Sequence, residues 1–176
     1  MTAGLDNQPN LDDLFAATYD ELRHLASAVK GYDQCATLNP TALVHEAWLK
    51  LSGSGGIAAV SQLHFKRMAA RAMRQVLVEA ARRRHALKRG GQDAVLVTMD
   101  SFAAQTELTG RELIALDDIL QELARMNPRQ AAIVESRFFG GLEMAEIAAL
   151  IDVSEATVHR DWRAARAWLA REFRKQ

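Results

Sequence analysis

Apolar residues recur at helical spacing through most of the chain. Leu11, Leu14, Phe15, Tyr19, Leu22, Leu25, Ala26 and Val29 line one face of a first helix, with Asn10 as a plausible N-cap and Gly31 at its end. Asn39 followed by Pro40 has the form of an N-cap and first helical position. The helix it opens carries Leu43, Val44, Ala47, Trp48 and Leu51 on its inner face and stops at the Ser-Gly-Ser-Gly-Gly run of 52–56. From Ser61 a long helix runs through Met68, Ala69, Ala72, Met73, Val76, Leu77 and Ala80 until Gly90 and Gly91, with its arginines on the other faces. Between Gly91 and about Thr109 the periodicity disappears, which marks a linker with one apolar anchor at Val95 to Val97. Leu113, Leu116, Ile119, Leu120 and Leu123 restart a helix that Asn127 and Pro128 close. The same pair opens the next helix, through Ala131, Val134 and Phe138. After Gly140 and Gly141 come a helix from Met144 to Ile151 and another from Glu155 to about Arg174, with Ser154 as its cap. No stretch alternates with period two for long, so the expected fold is all-α: two small helical domains joined by a linker.

The stretch Glu143 to Arg166 is the most specific signal. Ala148 is small where two helices cross, Ile147 and Val158 stand where a shared core is needed, and the turn Ile151, Asp152, Val153 precedes the Ser154 cap. These are the features of a helix-turn-helix, whose second helix presents its first turns to the major groove of DNA. Glu155, Ala156, Thr157, His159, Arg160 and Arg163 are expected to face outward. Base reading falls to the first four or five of these, while Arg163 and Arg166 hold phosphates.

Charge changes the picture along the chain more than in total. The 176 residues hold 22 Lys+Arg and 22 Asp+Glu. Residues 64 to 91 set nine bases against Glu79 alone, a net of +8, whereas residues 92 to 122 set seven acids against Arg111, a net of −6. Residues 1 to 30 stand at −3. This alternation suits a basic block that meets a polyanion and an acidic connector that must not. Folded onto each other, the two would hide the basic block in a compact state that salt loosens.

Other classes are excluded on composition. No run approaches the ~18 apolar residues of a membrane span. The N-terminus lacks the basic start and apolar stretch of a secretion signal, and the lone Cys35 has no partner for an internal disulfide, so a cytoplasmic location is expected. His24, His45, His64, His85 and His159 never fall at i, i+4, Cys35 has no companion ligand nearby, and no glycine-rich phosphate loop follows a strand. Neither an enzyme, a metal site nor a cofactor is expected. The rival reading is a stand-alone helix-turn-helix regulator, with residues 1 to 91 sensing or dimerising.

The sequence Leu-x-x-Met-Asn-Pro-Arg-Gln-Ala-Ala-Ile-Val-Glu-Ser-Arg-Phe-Phe-Gly-Gly-Leu at 123–142, the helix-turn-helix after it, and Ala-Leu-Val-His-Glu-Ala-Trp-Leu-Lys-Leu at 42–51 before the arginine-rich helix together resemble the extracytoplasmic-function (group IV) sigma factors of bacterial RNA polymerase. The resemblance implies a sigma-2 domain at 10–91, a linker at 92–111 and a sigma-4 domain at 112–174. It implies an alternative sigma factor that binds core RNA polymerase, gripping the clamp helices of the largest subunit and the flap of the second large subunit, and directs initiation at particular promoter DNA. By the same resemblance Leu43, His45, Glu46, Trp48 and Leu49 belong to the polymerase-binding segment. Arg71, Arg74, Arg82, Arg83 and Arg84 are the phosphate contacts near the minus-10 element, with Gln75 beside the unpaired strand. The reading helix, with Arg163 and Arg166 on phosphates, falls to minus-35.

One departure matters. Family members carry an acidic stretch of the form Asp-x-x-Asp-Leu-x-Gln-Glu before the clamp-binding helix, where this chain has Asn39-Pro40-Thr41-Ala42-Leu43-Val44-His45-Glu46. Two acids are missing, a loss worth on the order of 1 to 3 kcal/mol at a charged interface. Thr41 stands in the gap, and a phosphate on it would bring roughly −1.5 to −2 charge to the positive end of the helix. A Ser/Thr kinase, and an anti-sigma protein, are therefore further candidate partners. His159 and Asp161 lie where basic residues are common on the reading helix, so an unusual minus-35 preference is expected.

Overall fold

The computed structural model describes residues 11–30, 39–53, 61–87 and 109–175, with side chains described to Ser27 in the first span and to Ala86 in the third. The regular elements among them are seven helices and no strands. They are α1 (Leu11–Lys30), α2 (Pro40–Ser52), α3 (Gln62–Leu87), α4 (Gly110–Met126), α5 (Pro128–Phe138), α6 (Met144–Leu150) and α7 (Glu155–Phe173). None is long and apolar enough to cross a membrane. The fold is all-α. Asn10, Gly31, Cys35, the Val95 to Val97 anchor, Gly90, Gly91 and most of the linker lie outside the described residues.

Local chemistry sets the boundaries. Asn39 accepts a hydrogen bond from the Ala42 amide at 2.7 Å and Pro40 takes the first position of α2. Thr109 and Glu112 form a reciprocal capping box at the start of α4. Asn127 ends α4 and caps α5 through the Gln130 amide at 3.1 Å. These side chains satisfy amides that the first turn of a helix leaves without partners.

In the N-terminal half, α1 and α2 pack on α3. Leu14, Leu22, Ala26, Leu43, Val44, Ala47, Phe65, Ala69 and Met73 are buried together. Phe15 stacks on Trp48 with ring centroids 4.5 Å apart. In the C-terminal half, α4, α5 and α7 bury Leu113, Leu116, Leu120, Leu123, Val134, Ala165 and Leu169. Ile133, Leu142, Ile147, Ala148 and Val158 form a smaller core that joins α5, α6 and α7.

The halves are not held apart. Their larger cores are one continuous cluster, because a second face of α3, beside the one that packs on α1 and α2, lies on α4 and α5. Backbone comes close at three points. A β-carbon on Gly110 would lie 3.7 Å from Ala81 Cβ, and one on Gly140 would lie 3.2 Å from Ala70 Cβ. At Gly141, whose φ is +61°, a β-carbon would fall 2.2 Å from Leu25 Cδ2. Gly141 is thus required twice, by its left-handed backbone and by the side chain of α1 above it.

Candidate nucleic-acid and polymerase interface

The helix-turn-helix is built as its sequence suggests. Ile147 and Val158 are fully buried, and Ala148 is buried where α6 and α7 cross. Asp152 takes φ +53°, which Asp tolerates in a turn. The Val153 amide donates to Ala148 O at 3.1 Å to close the end of α6, and Ser154 Oγ accepts from the Thr157 amide at 3.2 Å to open α7. On the first turns of α7, Glu155, Ala156, His159, Arg160 and Arg163 are exposed and Thr157 is half-buried, its hydroxyl 2.9 Å from that of Ser154. His159 Nε2 lies 3.5 Å from Glu155 Oε1. Arg166 is half-buried, its guanidinium 6.0 Å from the Trp162 ring centre, and its Nε is enclosed without a hydrogen-bond partner among the described residues.

Asp161 does not face DNA. Its side chain is buried, and its Oδ2 accepts from Arg129 Nε of α5 at 2.6 Å. The unusual preference expected from this position therefore has no basis at Asp161: the carboxylate ties the reading helix to α5. The signal was in the sequence, since Asp161 lies between Val158 and Ala165 on the stripe that continues to Leu169 and Phe173, all buried. A charge on such a stripe calls for a partner.

The basic helix α3 divides its arginines. Arg71 and Arg83 are exposed, and neither is in an ion pair among the described residues. Arg74 is enclosed, 14% exposed: its Nε approaches Asp117 Oδ1 at 3.3 Å and its Nη1 approaches Glu135 Oε1 at 3.0 Å. The first approach lacks the alignment of a hydrogen bond, so it acts as charge on charge. Arg82 reaches Asp117 Oδ2 and Asp118 Oδ1, each at 3.1 Å. Gln121 adds a hydrogen bond to Asp117 at 2.8 Å. Gln75 and Arg84 are half-buried. Phe65, the aromatic residue of this helix, is fully buried in the core and offers no ring to an unpaired base.

On α2, His45, Glu46 and Leu49 are exposed, Leu49 at 62%. Leu43, placed by sequence in the polymerase-binding segment, is buried to 1% exposure on the inner face of α2 with Val44 and Ala47, so its side chain does not lie on the surface of that segment. Trp48 is half-buried between Phe15 and Phe65. An open groove of about 460 Å³ runs between α2 and α3, lined by Glu46, Leu49, Lys50, Val76, Glu79 and Arg83. Lys50 and Glu79 pair across it. Thr41 is exposed in the first turn of α2, which holds no acidic residue.

Among the described residues no cluster of three or more His, Cys, Asp or Glu side chains is placed to hold a metal. No curated protein and no solved structure matches the chain. A family model described as ECF sigma factor matches residues 6–175, which takes in every helix above, both the arginine-rich one and the reading one. The chain therefore belongs to the ECF sigma factor family, whose members are non-enzymatic transcription factors that bind core RNA polymerase and promoter DNA and direct transcription initiation.

Proposed function

We propose that residues 10–91 act as the sigma-2 domain, which docks on the clamp helices and opens minus-10, and residues 112–174 as the sigma-4 domain, which reads minus-35 through Glu155, Ala156, Thr157, His159 and Arg160. Arg163 holds phosphate there. His45, Glu46, Trp48 and Leu49, with the groove beside them, meet the polymerase. Arg71, Arg74, Gln75, Arg82, Arg83 and Arg84 serve minus-10. Docking of α2 is completed by phosphorylation of Thr41 by a Ser/Thr kinase.

The observation that carries the phosphorylation reading is the bare start of α2. An exposed hydroxyl stands in a first turn with no acid, at the end of a helix dipole that favours negative charge. A phosphate there restores the charge that a basic partner surface requires. The test is the affinity for core RNA polymerase of the full chain as purified from a kinase-free host, beside Thr41→Glu and Thr41→Ala. Tighter binding by the glutamate form alone supports the switch. Equal tight binding by all three removes the need for it, and no binding by any in the micromolar range sinks the docking assignment of α2.

A further inference from the structure

The reading helix carries an acid where it would meet a polyanion. We propose that Glu155 and His159 of α7 act as one donor–acceptor couple that reads a single base pair of the minus-35 element by the order of its keto and amino groups. The couple accepts G·C and T·A with the keto base under His159, and rejects the same pairs turned round. The inference rests on the assignment of α7 to minus-35 and names which base pairs that helix selects.

Glu155 and His159 stand one turn apart on α7, and His159 Nε2 lies 3.5 Å from Glu155 Oε1. That separation is too long for a firm hydrogen bond, so the imidazole N–H and the carboxylate lone pairs are free for an outside partner. The two side chains are 53% and 56% exposed, His159 and Glu155 in turn, and Glu155 has no other ion-pair partner among the described residues. The neighbouring hydroxyls are engaged with each other. Thr157 and Ser154 lie 2.9 Å apart, oxygen to oxygen, and Ser154 also accepts from the Thr157 amide, so Thr157 offers a base its methyl group. Ala156 likewise offers a methyl. Polar discrimination on these turns therefore falls to the couple and to Arg160, which is exposed.

A carboxylate brought against DNA is repelled by the phosphates and by most of what the major groove displays, since guanine N7 and O6, adenine N7 and thymine O4 are all acceptors. Only the amino groups at cytosine N4 and adenine N6 reward it there. In every base pair that amino group is hydrogen-bonded to a keto oxygen, guanine O6 or thymine O4, so a donor and an acceptor stand roughly 3 Å apart on the groove floor. The imidazole N–H and the Glu155 carboxylate offer the complementary order at a matching spacing. With His159 over the keto oxygen and Glu155 over the amino group, both bonds form. When the base pair is reversed, the N–H meets an amino group, the carboxylate meets a keto oxygen, and neither bond forms. An acid in the first turn also stabilises the helix it opens, but that role calls for no imidazole beside it one turn on.

The test is selection of duplex DNA from a randomised pool by the full chain, with sequencing of the bound fragments, for the parent, Glu155→Ala, Glu155→Gln, His159→Ala and Arg160→Ala. At one base pair the parent is expected to favour G·C over C·G and T·A over A·T by about tenfold, the lower end for a two-bond base contact. Glu155→Ala and His159→Ala are each expected to reduce that preference to about threefold or less, and at the same base pair, because each leaves one bond of the two. Glu155→Gln is expected to do the same, since an amide both donates and accepts. In the accepted T·A pair, 2-aminopurine in place of adenine removes the amino group from the major groove. It is expected to weaken binding by the parent about threefold and binding by Glu155→Ala not at all.

If Glu155→Ala binds all sequences more tightly and keeps the parent's preference, while Arg160→Ala alters a preference elsewhere, the carboxylate only repels DNA and the couple is overturned. Losses at two different base pairs overturn it too, since Glu155 and His159 would then read separately. If Arg160→Ala and all the Glu155 and His159 variants leave every preference unchanged, or the parent selects no sequence, the assignment of α7 to minus-35 is what fails, and the couple falls with it.

Discussion

Two helices of this protein are proposed to meet nucleic acid, α3 and α7, and their cations stand in opposite conditions. On α7, Glu155, Ala156, His159, Arg160 and Arg163 face solvent, and the charged residue that would have crowded them, Asp161, is turned inward onto Arg129. On α3, the arginines nearest the C-terminal half are paired with Asp117, Asp118 and Glu135. Each half thus solves the same problem differently. A short helix-turn-helix core leaves its reading face free because it buries only the opposite stripe of α7. A long helix such as α3 has apolar residues on two faces, one for α1 and α2 and one for α4 and α5, and its arginines beside the second face are covered with it.

The comparison breaks most visibly through the small core under α7. Ile147→Ala removes a fully buried side chain and is expected to cost about 2–4 kcal/mol in urea unfolding of the full chain. A loss below about 1 kcal/mol, inside the usual range for a surface change, would mean that α6 and α7 do not depend on this contact. Asp161→Ala is next, at roughly 1–3 kcal/mol, since Arg129 is about half exposed and recovers water once its partner is gone. Minus-35 binding is expected to weaken with it even though Asp161 touches no DNA, and Asp161→Asn should restore part of both.

Gly141→Ala strikes the seam between the halves. The left-handed backbone alone costs roughly 1–2 kcal/mol, and Leu25 must also move. A loss no larger than that backbone cost would mean that Leu25 does not pack on Gly141 in solution. A finer comparison sets Arg163→Ala against Arg82→Ala in the free chain. The first is expected to lower DNA affinity by about 1 kcal/mol on all sequences and to reduce the salt slope by about one. The second is expected to change neither, because Arg82 is already engaged; equal losses would put the two helices in the same condition.

The smallest effect concerns the end of α7. Hydrogen bonding to Lys175, with Arg171 adding to it, holds the Glu172 carboxyl below its ordinary value against a smaller opposing effect of burial. A carboxylate lowered on folding stabilises above its unfolded value and loses that contribution as the pH falls through the folded one. Glu172→Gln is therefore expected to be slightly less stable than the parent at neutral pH, with the difference vanishing in acid. A difference that grows in acid would contradict the pairing.

Sequence alone determined the helices, their caps and the helix-turn-helix, because each depends on residues a few positions apart. Asn39 with Ala42, Asn127 with Gln130 and Ser154 with Thr157 are contacts of three positions, and the buried stripes follow the turn of the helix. It also located the basic block and the acidic stretch that opposes it, and a compact state between them was legible in the charges, with Asp117 and Asp118 among the acids that meet the block. What only the tertiary structure decided is which charges pair. Arg74, Asp117 and Asp161 each lie on or beside an apolar stripe, where a charge must find a partner, yet nothing local names that partner. Arg129 and Asp161 are 32 positions apart, and Arg82 and Asp117 are 35. Such a choice waits on the packing of whole helices, since the desolvation that makes the pair necessary exists only once the faces have met.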